Sequence, residues 1–407
     1  MAFRVAISGL KAASGELEVI GNNIANSNTT GFKKSRAEFV DVFAVSNVGG
    51  SGSTPGSGVR LSGIKQQFTQ GNISFTDNNL DMAINGNGFF VLDDAGTQVY
   101  SRNGAYGVDR NGFLANAQGQ QLIAFGADTA GNITGAAGPV QVNTANIAPQ
   151  ASTTMSIELN LDAAQGQPAV GTFSATNPNS YNHSTSTTVF DSLGNSHLAS
   201  MYYLKTATAN QWQSYTFVDG TQVDGPDTIA FTTAGALIPG STGTSGIITT
   251  PSFTPAGGAG AMTLAQDYNA STQFGSAFSV NALAQNGFTT GRLSGLDIDS
   301  QGIIFARFTN GQSSVQGQIA LADFRNSQGL QPVSDTAWAE TFSSGAATVG
   351  SPGTASLGLI QSGALEQSNT DLSEELVNMI IAQRSFQANA EVISTSDTIT
   401  QSIINLR

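Results

Sequence analysis

Two histidines, His183 and His197, are the side chains in this 407-residue chain that titrate near neutrality without help from their surroundings. Both lie in Ser/Thr/Asn-rich sequence around an expected hairpin, with no acidic or Cys partner at ligand spacing, so surface or packing roles are expected of them. The absence of Cys removes disulfides, thiolate zinc sites and thiol nucleophiles together. Ser and Thr abound, but a hydroxyl nucleophile needs a base held by an orienting group, and His is scarce. Asp297, Asp299, Gln301 and Gly302 imitate the opening of a calcium loop. The twelfth position is Phe308 where a bidentate Glu is required, so a plain hairpin is expected there. Gly86 and Gly88 lack the third glycine and following helix of a dinucleotide fingerprint, and no Walker lysine pattern occurs. Asp93 and Asp94 form a carboxylate pair of the kind used in glycoside hydrolysis, but they fall on an expected turn tip. The residue chemistry therefore predicts no enzyme, no cofactor and no metal.

The elements that carry these residues divide sharply. Helical periodicity is confined to the two ends, and strand-and-turn composition fills the middle, which predicts a mainly β chain with terminal α-helices. At the N-terminus Phe3, Ile7, Leu10, Leu17 and Ile24 fall on one heptad seam, widened by Val5, Ala13 and Ile20. At the C-terminus Leu372, Leu376, Met379, Phe386, Ala390 and Ile393 repeat the spacing, with Ile380 beside them; a shifted stripe continues through Val392, Ile399, Ile403 and Leu406. Asp371 followed by Glu374 reads as a helix start of the capping-box type. Gly9, Gly15 and Gly21 each cost about 1 kcal/mol relative to Ala in a helix interior. The N-terminal helix is therefore expected to fray alone and to gain its order from the C-terminal helix and from neighbouring copies.

Bulk properties bound the partners. A net charge of -13 makes nucleic acid and anionic membrane surfaces poor partners. No run is long enough to span a bilayer, so no membrane insertion is expected, and the apolar stretch Val5–Ile7 is too short for a signal-peptide core. The run from Ser46 to Gly58 reads as a flexible loop. Asp and Gly three residues apart recur at Asp93/Gly96, Asp109/Gly112, Asp191/Gly194 and Asp299/Gly302, each fitting a hairpin turn and marking antiparallel construction. Strands such as Ser200–Lys205 and Gln213–Val218 sit in a Thr/Ser/Ala/Gly/Gln-rich region, and Leu296–Arg307 with Ser313–Phe324 resume hairpins that would complete the sheet begun by Leu80–Tyr106. The predicted organisation is nested. Residues 1–28 and 369–407 form paired helices and 29–70 a linker or extended connection; 71–143 with 287–368 form a first β domain, and 144–286 an inserted second β domain.

Several blocks also resemble a known family. Gly9-Leu10, the run Gly21-Asn22-Asn23-Ile24-Ala25-Asn26 and the run Thr30-Gly31-Phe32-Lys33 are similar to the N-terminal signature of bacterial flagellar rod and hook proteins. Gln70-Gly71-Asn72, Asn79–Ile84 with Asp81, Gly88-Phe89-Phe90-Val91 and Tyr100–Gly104 resemble the family's next block. Gly363–Asn369 and Gln383-Arg384-Ser385-Phe386 resemble its closing block, with Phe386 where Tyr is common. Ser35–Phe39, the large insert and Val189–Asn195 look like hook proteins more than the shorter rod proteins. The resemblance implies a helical homo-polymer, a flexible curved tube that transmits torque from rod to filament, with terminal helices inside and β domains outside. It also implies export through the flagellar type III apparatus without a cleaved signal, an extracellular location in the hook and basal body, and the distal rod protein, a hook cap protein and a hook-associated protein as partners. A distal rod or junction protein, or more remotely a secreted β-rich adhesin, is the competing expectation. On the hook reading, the low-charge β domains supply contacts that slide during bending, and the Ser46–Gly58 loop acts as an adjustable spacer.

Overall fold

The computed structural model describes residues 2–42, 56–128, 130–240 and 245–405. Helix α1 covers Ala2–Ala25 and helix α2 covers Leu372–Asn405, and the two pack against each other. Asp371 caps α2: its Oδ1 accepts from the backbone N–H of Ser373 at 2.8 Å and of Glu374 at 3.3 Å. Glu374 does not complete a reciprocal box; its carboxylate takes the Lys34 ammonium at 3.1 Å. The helices run antiparallel, since Gly9 lies against Asn389 while Val19, Ile20 and Asn23 share a cavity wall with Glu374, Glu375 and Asn378. Gly9 lets the helices come close at that crossing: a Cβ there would sit 2.4 Å from the Asn389 Oδ1 and would make that side chain move. The end of α2, from about Asp397 onward, continues past the first described turn of α1, and Ile399 and Ile404 lie exposed on it.

Residues 29–70, expected as a linker or extended connection, contain an antiparallel hairpin of β1 (Ser35–Asp41) and β2 (Val59–Gln66), paired from Ser35↔Gln66 to Asp41↔Val59 with one shift of register between Glu38 and Phe39. Its alternation was masked in the sequence by Arg36, Glu38, Arg60 and Lys65, whose charges sit on a hairpin largely open to solvent. The hairpin leans on α1, where Ser8 Oγ accepts from the Val59 N–H at 3.1 Å. The Ser46–Gly58 loop falls outside the described residues except for 56–58, and Leu406 lies outside them as well.

Two compact units follow, one made of residues 1–144, 295–307 and 313–407, the other of 145–294 and 308–312. In the first, β3 (Ile73–Phe75) pairs with Ala364–Glu366, β4 (Met82–Asn85) with Leu359–Ser362, and β5 (Phe89–Asp94) with β6 (Thr97–Ser101). Strands Gln121–Ala127, Ser313–Ile319 and Ala337–Ala339 join the sheet of β5 and β6, so late chain completes a sheet begun early. Phe89, Val91, Tyr100, Ile123, Ala320, Phe324 and Trp338 form its core, with Phe89 edge-on to Phe68, Phe324 and Trp338.

The Asp/Gly turns form as expected at Asp109, Asp191 and Asp299: the Gly N–H donates to the Asp carbonyl at 3.0–3.1 Å, and each Gly has a φ between 75° and 85°. At Asp93 the loop is shorter, and Ala95 joins Gly96 at positive φ. The calcium-like segment at Asp297 is one of these hairpins, with Asp297 ion-paired to Arg307.

The second unit holds an antiparallel meander of four strands, His183–Phe190, Ser196–Lys205, Gln211–Val218 and Thr221–Ala230, in that order. Strict alternation puts Trp212, Ser214, Thr216 and Val218 inside. A second sheet orders Ile247–Thr249, Ala265–Asp267, Thr154–Asn160 and Ser279–Gln285. Purely antiparallel construction is not what this sheet shows, because Thr154–Asn160 runs parallel to Ala265–Asp267. Parallel neighbours need a long crossover, here supplied by the intervening meander, which no local turn signal reveals.

Candidate functional site

The N-terminal signature works as a set of backbone ties where α1 turns into β1. Asn23, buried, pairs with Ser35 as a strand residue would: Nδ2 donates to the Ser35 carbonyl at 2.8 Å and Oδ1 accepts from the Ser35 N–H at 2.8 Å. Asn26 donates to the Asn22 carbonyl at 3.0 Å and accepts from Thr29 Oγ1 at 3.1 Å, while Asn22 itself is exposed. Gly31 is buried at φ 71°, and a Cβ there would lie 2.5 Å from the Asn103 nitrogen. That close approach is what delivers Lys33 into the interior.

Lys33 is 1% exposed and meets Glu366, which is fully buried, at 2.5 Å. Arg102, 5% exposed, holds the other Glu366 oxygen at 3.0 Å. The carboxylate also accepts from the Gly71 N–H at 2.8 Å, Lys33 donates to the Thr69 carbonyl at 2.8 Å, and Arg102 donates to the Gly86 carbonyl at 2.8 Å with its guanidinium 5.4 Å from the Phe89 ring centre. Burial pushes both the Lys33 ammonium and the Arg102 guanidinium toward lower pKa, and Glu366 opposes the shift in each. Around this triad, Asn369 accepts from the Lys34 N–H at 2.7 Å and donates to the Gln67 carbonyl at 2.8 Å; the Glu366 carbonyl accepts from the Gly31 N–H at 2.8 Å. Asp81 anchors the next loop, taking Thr76 Oγ1 at 2.8 Å and Asn78 Nδ2 at 3.0 Å, and its carbonyl accepts from the Gly363 N–H at 2.8 Å. Phe32 is half-buried; Gly88, at φ 117°, and Phe89 are buried.

The motif stretches Gly31–Lys33, Gln70-Gly71, Arg102-Asn103 and Glu366–Asn369, scattered along the chain, thus converge on one knot in the first unit. Their mutual contact was not legible in sequence. The only signal was three charged residues, Lys33, Arg102 and Glu366, inside otherwise uncharged blocks of a chain poor in charge.

The helix residues separate into two groups. On α1, Ala6, Ala13, Val19, Ile20 and Asn23 are buried, whereas Ile7, Leu10, Leu17 and Ile24 are half-buried and Phe3 is exposed. The fully buried row is thus displaced by one position from the expected seam, because small Ala and Gly side chains let α2 and the hairpin approach closely. On α2, Glu375 and Ala382 are buried and Met379, Phe386, Asn389, Ala390 and Ile393 half-buried, the row turned to α1. Leu372, Leu376 and Ile380 are not in that row. They stay about half exposed together with Val377 and Ile381, and Gln383 and Arg384 are exposed too. Of the two sources of order expected for α1, the C-terminal helix of the same chain is in place, packed along it. The second apolar row of α2 is what remains open.

Neither histidine is an isolated surface group. His183 stacks on Phe278 with ring centres 4.3 Å apart. His197 lies between Asp219, 2.6 Å from Nδ1, and Asp191, 3.1 Å from Nε2, acidic partners that the local sequence did not suggest. Its two nitrogens face different carboxylates, and the described residues contain no cluster of three or more metal-ligating side chains.

Comparisons with known proteins agree with this geometry. Residues 3–33 match the model of the flagella basal body rod protein and residues 361–406 that of the flagellar basal body rod FlgEFG protein C-terminal region. Residues 83–160 match the flagellar hook protein FlgE/F/G D1 domain, and residues 160–288 the flagellar basal body protein FlaE D2 domain. Over 100% of both chains, the sequence is 42% identical to the flagellar hook protein FlgE of Escherichia coli and 40% identical to that of Salmonella typhimurium. It is 34% identical to the hook protein of Rhizobium meliloti over 99% of this chain and 98% of the other. A crystal structure of Helicobacter pylori flagellar hook protein FlgE2 shares the fold, with a TM-score of 0.53 at 13% identity, over 72% of this chain and 100% of the other. With full-length identity at this level, the chain belongs to the family of flagellar hook proteins FlgE.

Proposed function

We propose that the chain is the structural subunit of a flagellar hook, polymerising into a flexible curved tube that transmits torque from rod to filament, and that it has no enzymatic activity. The observation that carries this reading is the open apolar row on α2. Leu372, Leu376, Val377, Ile380 and Ile381 are 46–56% exposed on one helix whose opposite row is already occupied by α1. Covering the remaining half of each contributes roughly 1 kcal/mol, so neighbouring copies gain about 5 kcal/mol per subunit from this strip alone. A head-to-tail contact through this strip that does not close on itself builds an open helical array. Full-length similarity to hook proteins favours this reading over a rod or junction protein, and an adhesin would leave the strip without a role.

By the same reading the subunit resides in the hook and basal body outside the cell and leaves without a cleaved signal through the flagellar type III apparatus. Its further partners are the distal rod protein, a hook cap protein and a hook-associated protein. Leu376→Asp tests the proposal. It places a carboxylate in the strip at a cost of about 3 kcal/mol, raising the concentration needed for assembly more than about 100-fold. The expected result is a folded monomer by circular dichroism that forms no tubes in negative-stain micrographs. Wild-type yields of tube from this variant would refute the assignment.

A further inference from the structure

We infer that Thr221–Ala230, the edge strand of the meander in the second unit, is held by two proton-dependent latches and loosens as pH rises. The inference stands on that unit's own geometry and is independent of the polymer reading.

The first latch is a pair of carboxylates forced together by a slip in the ladder. Ser214 lies opposite Asp227 and Thr216 opposite Asp224, so three residues on one strand span four on the other. Residues three apart in a regular strand face opposite ways; the extra residue returns both aspartates to the side of Ser214 and Thr216, which are fully buried. Asp224 Oδ1 accepts from the Gly225 N–H at 2.9 Å. The Oδ2 atoms of Asp224 and Asp227 are buried, and neither meets a hydrogen-bond partner among the described residues. The titratable groups they influence are one another and Tyr268: on top of burial, the Asp224 charge raises Asp227, both raise the Tyr268 phenol, and the Tyr268 hydroxyl donates to Gln266 Oε1 at 3.0 Å and lies 3.3 Å from the Tyr203 hydroxyl. Two bare carboxylates in this position repel, and a proton on one of them removes that repulsion and the cost of burying its charge. Burial, reinforced by Asp224, pushes Asp227 up to about 6, and burial raises Asp224 as well.

The second latch lies at the start of the same strand. His197 bridges Asp191, in the turn of the first hairpin, and Asp219, in the turn that leads into Thr221. Both ring nitrogens donate only when the imidazole is protonated. Asp219 also accepts from the Leu198 N–H at 2.9 Å, and Asp191 from Leu193 and Asn195 at 2.8 and 2.9 Å, so both carboxylates are fixed in place. Burial disfavours the charged ring, but the hydrogen bonds to Asp219 and Asp191 outweigh it and raise the His197 pKa above 6.5.

The two latches lose their hold in the same direction. Asp227 binds its proton more tightly in the folded strand, so its hold is full below the ordinary value of 3.8 and fades as pH climbs toward about 6. His197 also binds its proton more tightly when folded, so its hold is full below 6.5 and is lost as pH rises through the raised value. Release of the strand bares the hydrogen-bonding edge of Gln211–Val218.

Amide hydrogen exchange on the full chain between pH 4.5 and 8.5, corrected for the intrinsic exchange rate, tests this. The opening constant of Thr221–Ala230 is expected to rise about tenfold, less than the full Asp227 shift would give because the site is partly open to water. Gln121–Ala127 in the first unit should show no such rise. Asp227→Asn is expected to abolish the increase below pH 6.5, and His197→Gln the increase above it; Asp224→Asn serves as a second probe of the first latch. Flat protection in the wild-type edge strand, or a wild-type pH profile in both aspartate variants, overturns the inference.

Discussion

Replacing Glu366 by Gln removes one negative charge from between two buried cations while keeping nearly the same volume. The carboxylate now receives three donors, from Lys33, Arg102 and the Gly71 N–H, at 2.5–3.0 Å. An amide offers one oxygen to them and turns its own donor toward another donor. Breaking a buried pair costs about 3–5 kcal/mol, chiefly because the surviving charge is stranded away from water. Here two cations are stranded, which places the expected loss at the upper end. At about 2–4 °C per kcal/mol for a unit of this size, the transition of the first unit should fall by roughly 10–20 °C, read by calorimetry, with the second unit as internal control. Lys33→Met leaves the Arg102–Glu366 pair intact and should cost only about 1–3 kcal/mol. The double variant Lys33→Met/Glu366→Gln should cost less than the sum of the two, since the substitutions relieve each other. A shift below about 3 °C for Glu366→Gln, or strict additivity in the double variant, would refute the account of the triad.

Other substitutions probe the ties around it. Asn23→Ala removes both hydrogen bonds to Ser35 and should cost about 2 kcal/mol in denaturant melts of the first unit, whereas Asn22→Ala, at an exposed position, should change stability by less than about 0.5 kcal/mol. Gly31→Ala adds a Cβ 2.5 Å from backbone at positive φ and should cost more than about 2 kcal/mol, visible as lost protection at Lys33 and Lys34 in hydrogen exchange. Ala382→Leu forces three more carbons into a position with no exposed surface between the helices; about 1–3 kcal/mol of destabilisation and reduced helical circular dichroism are expected.

The fold class was written plainly in the sequence, because the two helices and many hairpins are specified locally. Asp371 announces the start of α2 through a cap made within three residues, and the Asp109, Asp191 and Asp299 turns are closed by their own side chains and the glycine that follows. Pairings set by distant parts of the chain were not legible. The β1–β2 hairpin has charged residues on a solvent-facing surface and so lacked an apolar rhythm, and the parallel pairing of Thr154–Asn160 depends on strands about a hundred residues away. The same limit applied to the candidate site. Individual residues such as Asn23, Gly31 and Lys33 stood out as a motif, but nothing near Lys33 indicates that Glu366, 333 positions later, is its partner. On α2 the sequence supplied one broad apolar stripe. Only the position of α1 divides it into a covered row at Met379, Ala382 and Phe386 and an open one at Leu376 and Ile380.

The overhang of α2 bears on how a stack of such subunits grows. With a rise of about 1.5 Å per residue, the nine positions from Asp397 to Asn405 project roughly 13 Å beyond the start of α1. Ile399 and Ile404 on this prong stay exposed among the described residues, so in a stack they are free to be seated by a different molecule. On the polymer reading, one terminus of the tube always presents unseated prongs while the other presents vacant seats. Elongation then acquires a polarity from the unequal lengths of two helices alone.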